Sequence, residues 1–454
     1  MLDHFLSQYG KNRRPISVSF RNLIDILPSP HRTTHLIHSY PAKLLMHIPY
    51  FFLSNTILSQ PGDTVLDPFC GSGTVLLESM LAGRNAIGVD VNPLARLISK
   101  VKTTPLDIKK LDGCITRLWA RIPNESTLDQ PDVINLNYWF YPHVVQKLLR
   151  ILEGIKSTRD RDIKDFFLVC FSSCARRVSL ADPRLSVPVR LRNDQYQQGH
   201  WLYEKTDKLL KRLRRINVLT EFNKIVETNK TRIASLNSKG FDGVVAQVVG
   251  VDAKDLRFDL DQNGQRGRKI PSNSVDLIIT SPPYIGAQKY IRASSLSLGW
   301  LDLCESQQLR ELDAQSIGRE HFSKQTYLES VNTGIKSADK VLKSLHTVNP
   351  LRGRITGAYI LEMRETLKEI ARVLKPNGYM VLVAANNQVC GQEFRTQHYL
   401  REITEEFGLT LILRLVDDIR SRGLMTKRNK TASVITREWV LLFQKSKGGY
   451  GRTN

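Results

Sequence analysis

A hydroxyl, a rigid backbone carbonyl and an aromatic ring follow one another in Thr280-Ser281-Pro282-Pro283-Tyr284. A planar heterocycle carrying an exocyclic amine needs that set: two acceptors for the amine protons and a face to stack on. Neither proline offers an N–H and each fixes its φ, so the segment cannot continue a sheet and must leave it stiffly. The apolar run before it, residues 275–279, reads as a buried parallel strand. Open α/β sheets hold their ligands at the carboxyl ends of such strands. A Pro-Pro turn beside a packed tyrosine has the same local pattern, and the motif that separates the two readings lies far upstream.

That motif is Asp63-Thr64-Val65-Leu66-Asp67-Pro68-Phe69-Cys70-Gly71-Ser72-Gly73-Thr74, a short strand running into a glycine-rich turn. Residues 75–82 then show helical apolar spacing, and Gly83 stands where the helix should stop. Asn85-Ala86-Ile87-Gly88-Val89-Asp90 reads as a second strand ending in an acid. It falls within about 20 residues of the glycines, the separation at which a carboxylate meets ribose hydroxyls in a nucleotide-type βαβ unit. The third glycine of the dinucleotide fingerprint and the Gly-Lys-Ser/Thr of a triphosphate loop are both missing, which disfavours NAD and nucleoside triphosphates.

Together the two motifs resemble those of the S-adenosylmethionine-dependent DNA amino-methyltransferases, which methylate cytosine N4 or adenine N6. In that family a D-P-F-x-G-S-G-T loop holds the cofactor and an [S/D/N]-P-P-[Y/F/W] loop holds the target base. Both stand here without a mismatch, at 67–74 and 281–284. The stretch His38-Ser39-Tyr40-Pro41-Ala42-Lys43 resembles the segment placed beside the methionine end of the cofactor, and Val251-Asp252-Ala253 resembles the acidic position facing the adenine. The resemblance implies S-adenosyl-L-methionine held by Tyr40, Lys43, Asp67, Phe69, Gly71, Gly73, Thr74, Asp90 and Asp252, with Ser281, Pro282, Pro283 and Tyr284 as the catalytic set. It implies an α/β fold, a Rossmann-like class I methyltransferase sheet interrupted by a large, mostly helical insertion.

Residues 1–104 are expected to form the cofactor-binding half, 105–245 an inserted helical region that reads DNA, and 246–454 the catalytic half, with a smaller insertion at about 300–355. A tract as long as 105–245 should fold rather than remain a loop. Residues 1–40 read as a polar lead-in, and the later strands are expected at 379–385, near 409–415 and at 439–444. Lysine and arginine outnumber the acids enough to give a formal charge of +22, a surface suited to a polyanion such as double-stranded DNA. Arg176 and Arg177, and Lys211, Arg212, Arg214 and Arg215 on a basic amphipathic helix, are the candidates for DNA contact. A second basic loop, Arg420-Ser421-Arg422-Gly423 with Lys427-Arg428-Asn429-Lys430, is another. The six cysteines form no CxxC pair, so neither a zinc site nor a disulfide framework is expected, and no metal is. Nothing reads as a membrane span or secretory leader, the scattered cysteines suit a reducing cytoplasm, and the family resemblance implies that of a bacterium or archaeon.

An exocyclic amine is a poor nucleophile because its lone pair is delocalised into the ring, and inside a duplex it is out of reach. The base must therefore be flipped into a pocket. With Tyr284 stacked on it, the Ser281 hydroxyl and Pro282 carbonyl would accept the two amine protons and aim the lone pair at the methyl group. Carbon-5 methylation would need a Pro-Cys nucleophile, and the chain has none. Serine at the first loop position goes mostly with cytosine N4 in the family, and aspartate mostly with adenine N6. Cytosine N4 is therefore expected, within a restriction-modification system that pairs the enzyme with an endonuclease. Adenine N6, guanine N2 of transfer RNA, and an inactive nucleic-acid-binding relative stay open as alternatives.

Overall fold

Eight short segments rich in aliphatic residues pair into one sheet: β1 (Ile16–Val18), β2 (Thr64–Asp67), β3 (Asn85–Val89), β4 (Ala246–Gly250), β5 (Val275–Thr280), β6 (Leu374–Ala384), β7 (Leu409–Asp418) and β8 (Arg437–Lys445). The computed structural model describes residues 1–24, 32–41, 43–241, 243–257, 259–260, 266–267, 270–286, 289–418 and 436–447. Across the sheet the order is β1-β7-β8-β6-β5-β2-β3-β4. Strand β8 runs antiparallel to both neighbours, and every other ladder is parallel. This is the Rossmann-like methyltransferase arrangement expected from the motifs.

The chain steps outward from β2 to β3 and β4, then returns to lay β5 on the other side of β2. Between β2 and β5 the direction of winding reverses, and such a switch point leaves a crevice at the strands' carboxyl ends. The register pairs Val65 with Leu277 and Leu66 with Ile278, so the two motif loops leave the sheet side by side. Five of the six β5 residues are buried, which is why the strand reads as a continuous apolar run.

Two expectations change. The lead-in is not a plain polar segment: Ile16–Val18 adds a parallel edge strand to β7, pairing Ile16 with Leu415. Leu2, Phe5 and Phe20 around it are buried in the main core. Three residues are too few for a periodic signal, and only the edge offered by β7 makes them a strand. Likewise β6 begins at Leu374 rather than 379, because its ladder with β5 continues through a register shift. Asn377 takes the left-handed φ of 62° there, a conformation asparagine tolerates.

The insertion supplies the helices Ile108–Arg121, Pro142–Lys156, Arg161–Val178, Trp201–Arg214 and Val218–Asn237. Their apolar faces share one cluster with the helices Pro93–Thr103 and Tyr290–Trp300, which follow β3 and β5. Trp300 lies edge-on to Phe140 and Phe171, with ring centroids 5.5 and 5.7 Å away. A buried polar chain adds to the join: His38 Nε2 to Ser172 Oγ at 2.9 Å, then Ser172 Oγ to Ser297 Oγ at 2.8 Å. The insertion's core is thus continuous with the layer covering the sheet. Cys170 and Cys174 are fully buried within it. Among the described residues no helix is long and apolar enough to cross a membrane.

Candidate active site

Tyr40, Lys43, Asp67, Phe69, Gly71, Thr74, Asp90 and Asp252 line one cleft together with Ser281 and Pro283. The cleft holds about 870 Å³ of empty space, part of it open to solvent. Two regions separated by some two hundred residues of chain therefore meet, as the switch point requires.

Besides the β2–β5 ladder, a buried side-chain bond joins them: Thr280 Oγ1 donates to Asp67 Oδ1 at 2.7 Å. The Phe69 N–H donates to the same oxygen at 3.1 Å, so Asp67 turns its own loop and ties it to the next strand. Burial pushes the Asp67 carboxyl up to about 7, against the opposing pull of the Thr280 hydrogen bond. Desolvation disfavours the ionised form more than one neutral hydroxyl restores it.

Asp90 sits at the end of β3 and accepts from Gly71 N–H at 2.9 Å and from Asn92 N–H at 2.8 Å, one on each oxygen. An ionised carboxylate has about four acceptor positions, so a second pair remains for a ligand. Burial raises this carboxyl too. Gly71 has a left-handed φ of 49°, and a Cβ there would lie 3.6 Å from the Tyr40 ring, on the ligand side of the turn. Gly73 differs. It does not line the cleft, and a Cβ on it would come within 2.9 Å of Ser99 Oγ and 3.0 Å of Ser99 Cα. The second glycine lets the helix Pro93–Thr103 pack closely; the first leaves room for a ligand.

Lys43 Nζ donates to the His38 carbonyl at 2.6 Å and to the His35 carbonyl at 3.3 Å, and burial lowers it to about 8. The Tyr40 hydroxyl accepts from Asn92 Nδ2 at 3.2 Å, and burial raises its phenol well above the ordinary range. Asp252 is exposed, with its carboxylate accepting from the Lys254 N–H at 2.9 Å.

In the second loop, among the described residues, no backbone N–H reaches the Pro282 carbonyl, which leaves it open as an acceptor. Pro282 and Tyr284 are not on the cleft wall. The Tyr284 hydroxyl donates to Glu438 Oε1 at 2.7 Å, and burial raises both the phenol and the Glu438 carboxyl. Glu438 stands on β8 opposite Asp417 of β7, a like charge that pushes it further the same way. From the other side Gly318 packs on the Tyr284 backbone: a Cβ there would lie 3.0 Å from the Tyr284 carbonyl oxygen. Gln315, Ser316 and Ile317 thereby reach the cleft.

The sequence reading missed Thr280, Asn92, Tyr290 and Glu438. Asn92 left a signal, an asparagine before Pro93 at a helix start, where it caps Leu94 N–H at 3.0 Å. Glu438 left none, since nothing local to a strand shows which loop lies over it.

The DNA-contact candidates divide. Arg176 is turned inward, donating to the carbonyls of Asp182 at 3.3 Å and Leu185 at 2.8 Å, and braces the loop after its helix. Arg177 is exposed and lies 3.5 Å from Glu221. On the basic helix Lys211 pairs with Asp207 at 2.7 Å, Arg212 lies 3.9 Å from Glu221, and Arg214 meets the Tyr141 hydroxyl at 3.4 Å. Arg215 is the exposed residue that ends the helix. The loop containing Arg420, Arg422, Lys427, Arg428 and Lys430 lies outside the described residues. Among the described residues no cluster of histidine, cysteine and carboxylate side chains could hold a metal ion.

Comparison with known proteins gives one family match and three relatives. Residues 28–100 match the N6/N4 methyltransferase family model, described as DNA methylase. The chain is 26% identical over 419 residues to the Type II methyltransferase M.MvaI of Kocuria varians, covering 88% of this chain and 87% of that one. It is 22% identical to the Type II methyltransferase M.BsoBI of Geobacillus stearothermophilus over 85% of this chain and 80% of that one. A shorter stretch of 89 residues, 19% of this chain and 16% of the other, is 40% identical to the Type II methyltransferase M.MjaII of Methanocaldococcus jannaschii.

Proposed function

The chain belongs to the S-adenosylmethionine-dependent DNA amino-methyltransferase family, and on that premise we propose that it methylates the exocyclic N4 of a cytosine flipped out of double-stranded DNA. The observation that carries this reading is the Thr280–Asp67 bond, which holds the glycine loop and the Ser-Pro-Pro-Tyr loop against one cleft.

The cleft fits S-adenosylmethionine. Asp90 keeps acceptor capacity for ribose hydroxyls, Asp252 stands one strand further along for the adenine amine, and Phe69 and Tyr40 supply apolar walls. When bound, the cofactor supplies an electrophilic methyl group. The protein's part is orientation. Ser281 Oγ and the Pro282 carbonyl accept the two amine protons, drawing the nitrogen toward tetrahedral geometry with its lone pair toward the cleft. Tyr284, held by Glu438, is the candidate stacking ring, and Tyr290 is a second aromatic on the wall.

Cytosine rather than adenine rests on serine at position 281, the residue the family pairs mostly with N4 chemistry. The relatives named Type II methyltransferases support a role beside a restriction endonuclease. Expression in a methylation-free bacterial host followed by single-molecule sequencing should report N4-methylcytosine at one recurring sequence. N6-methyladenine there would correct the base. Tritium from labelled cofactor in RNA but not DNA would overturn the substrate class.

A further inference from the structure

A second cavity opens beside the cleft and shares Tyr290, Ser316 and Ile317 with it. It holds about 1510 Å³ of empty space, part of it open to solvent. Its walls come from the first insertion with Ile134, Asn135 and Trp139, from the helix Tyr290–Trp300 with Arg292, and from the smaller insertion with Arg310.

The charges on these walls are unevenly matched. Glu320 lies 3.2 Å from Lys289 and 3.1 Å from Arg352, and Arg319 pairs with Glu362. Burial raises the Asp313 carboxyl above its usual range. Arg292 and Arg310 are exposed, and among the described residues neither has an acidic partner. The short helix Leu136–Trp139 carries the wall on to a shallow depression lined by Asn137, Tyr138, Arg190 and Arg192. There the Arg190 guanidinium lies over the exposed Tyr138 ring, 4.5 Å from its centroid. Arg192 pairs with Asp194 at 2.8 Å, whereas Arg190, Arg292 and Arg310 have no acidic partner among the described residues and, with aromatic faces beside them, are the elements of a nucleic-acid surface. The basic helix Trp201–Arg214 offers less, because Lys211 and Arg212 already face Asp207 and Glu221.

We propose that the DNA flanking the flipped nucleotide lies in this second cavity, with Arg292 and Arg310 on its phosphates and the 134–139 segment against its bases. The inference rests on DNA being the substrate. It makes target reading a joint product of the two insertions, at the side of the cleft where the flipped base enters.

The test uses the full chain and a duplex carrying its own methylation sequence. Arg292→Ala/Arg310→Ala should lower DNA affinity at least about tenfold and shallow the slope of log affinity against log salt by up to ~1.8, at ~0.9 per contact. Its melting temperature and its cofactor affinity by calorimetry should stay at wild-type values. Asn135→Ala should relax sequence preference in single-molecule sequencing of methylated DNA. The rival variant replaces Lys211, Arg212, Arg214 and Arg215 together with alanine. If it shallows the slope more than the double variant, the phosphates follow the helix and the proposal fails. An unchanged slope and affinity in the double variant, with a wild type that methylates DNA, overturns the proposal alone. A wild type that labels no DNA overturns the parent reading as well.

Discussion

The two ends of the molecule's chemistry are built in opposite ways. At the β2–β5 crevice the polar groups are buried and answer one another: Asp67 with Thr280, Asp90 with Gly71 and Asn92, Tyr284 with Glu438. On the solvated faces of the helical insertion charged groups pair loosely with nearby acids, as Arg177 and Arg212 do with Glu221. A buried polar bond is costly to leave unmade, whereas an exposed ion pair contributes little. Substitutions should therefore separate the two regions by size of effect.

The largest effect belongs to Ser281→Ala. Loss of one positioned acceptor for the reacting amine should lower the single-turnover methylation rate by about 10²–10³-fold. Cofactor and DNA affinity should barely move, because neither depends mainly on that hydroxyl. A wild-type rate would mean that this loop does not orient the amine.

Asp90→Ala comes next. Removing charge-assisted bonds of ~1.5–3 kcal/mol should weaken S-adenosylmethionine binding by about 10–100-fold in calorimetry. Since Asp90 also holds the Gly71 turn, Asp90→Asn, which keeps one acceptor, should fall between the alanine variant and wild type.

Thr280→Val tests the junction itself. The isosteric change removes a hydrogen bond to a buried carboxyl and should cost about 1.5–3 kcal/mol in urea unfolding. The same bond sits in a pH-dependent setting. Burial raises the folded Asp67 value from 3.8 to about 7. The native state then keeps this proton longer than the unfolded chain does. The group's contribution to stability is complete below about pH 4 and lost as pH rises through about 7. Asp67→Asn cannot ionise and should flatten that part of the stability profile; an unchanged profile would show that Asp67 is already charged across the range.

The smallest contrast lies within the insertion. Arg176→Ala unmakes two bonds to the Asp182 and Leu185 carbonyls and should destabilise the fold by about 1–3 kcal/mol. Its exposed neighbour Arg177→Ala should stay within about 0.5 kcal/mol. Equal melting temperatures for the pair would remove the distinction between inward and outward arginines.

The motif loops are legible in the sequence because their signals are local. Two prolines force an exit from a strand wherever they occur, and glycines between a strand and a helix mark a tight turn. The Rossmann-like sheet follows from strands of apolar residues spaced by helices. The short edge strand Ile16–Val18 is not legible, since three residues carry no periodicity and their partner strand lies about 400 residues later in the chain.

What the sequence by itself determined was the pair of loops, the acid at the end of β3, and the strongly basic balance that calls for a polyanion. Tertiary structure decided which groups those loops would meet. Thr280 reaches Asp67 across 213 positions, and Tyr284 reaches Glu438 across 154. It also decided that Arg176 turns inward while Arg292 and Arg310, beside the cleft, have no acidic partner among the described residues. The physical reason is that propensity acts over a few residues, whereas strand order and burial choose partners across the whole chain.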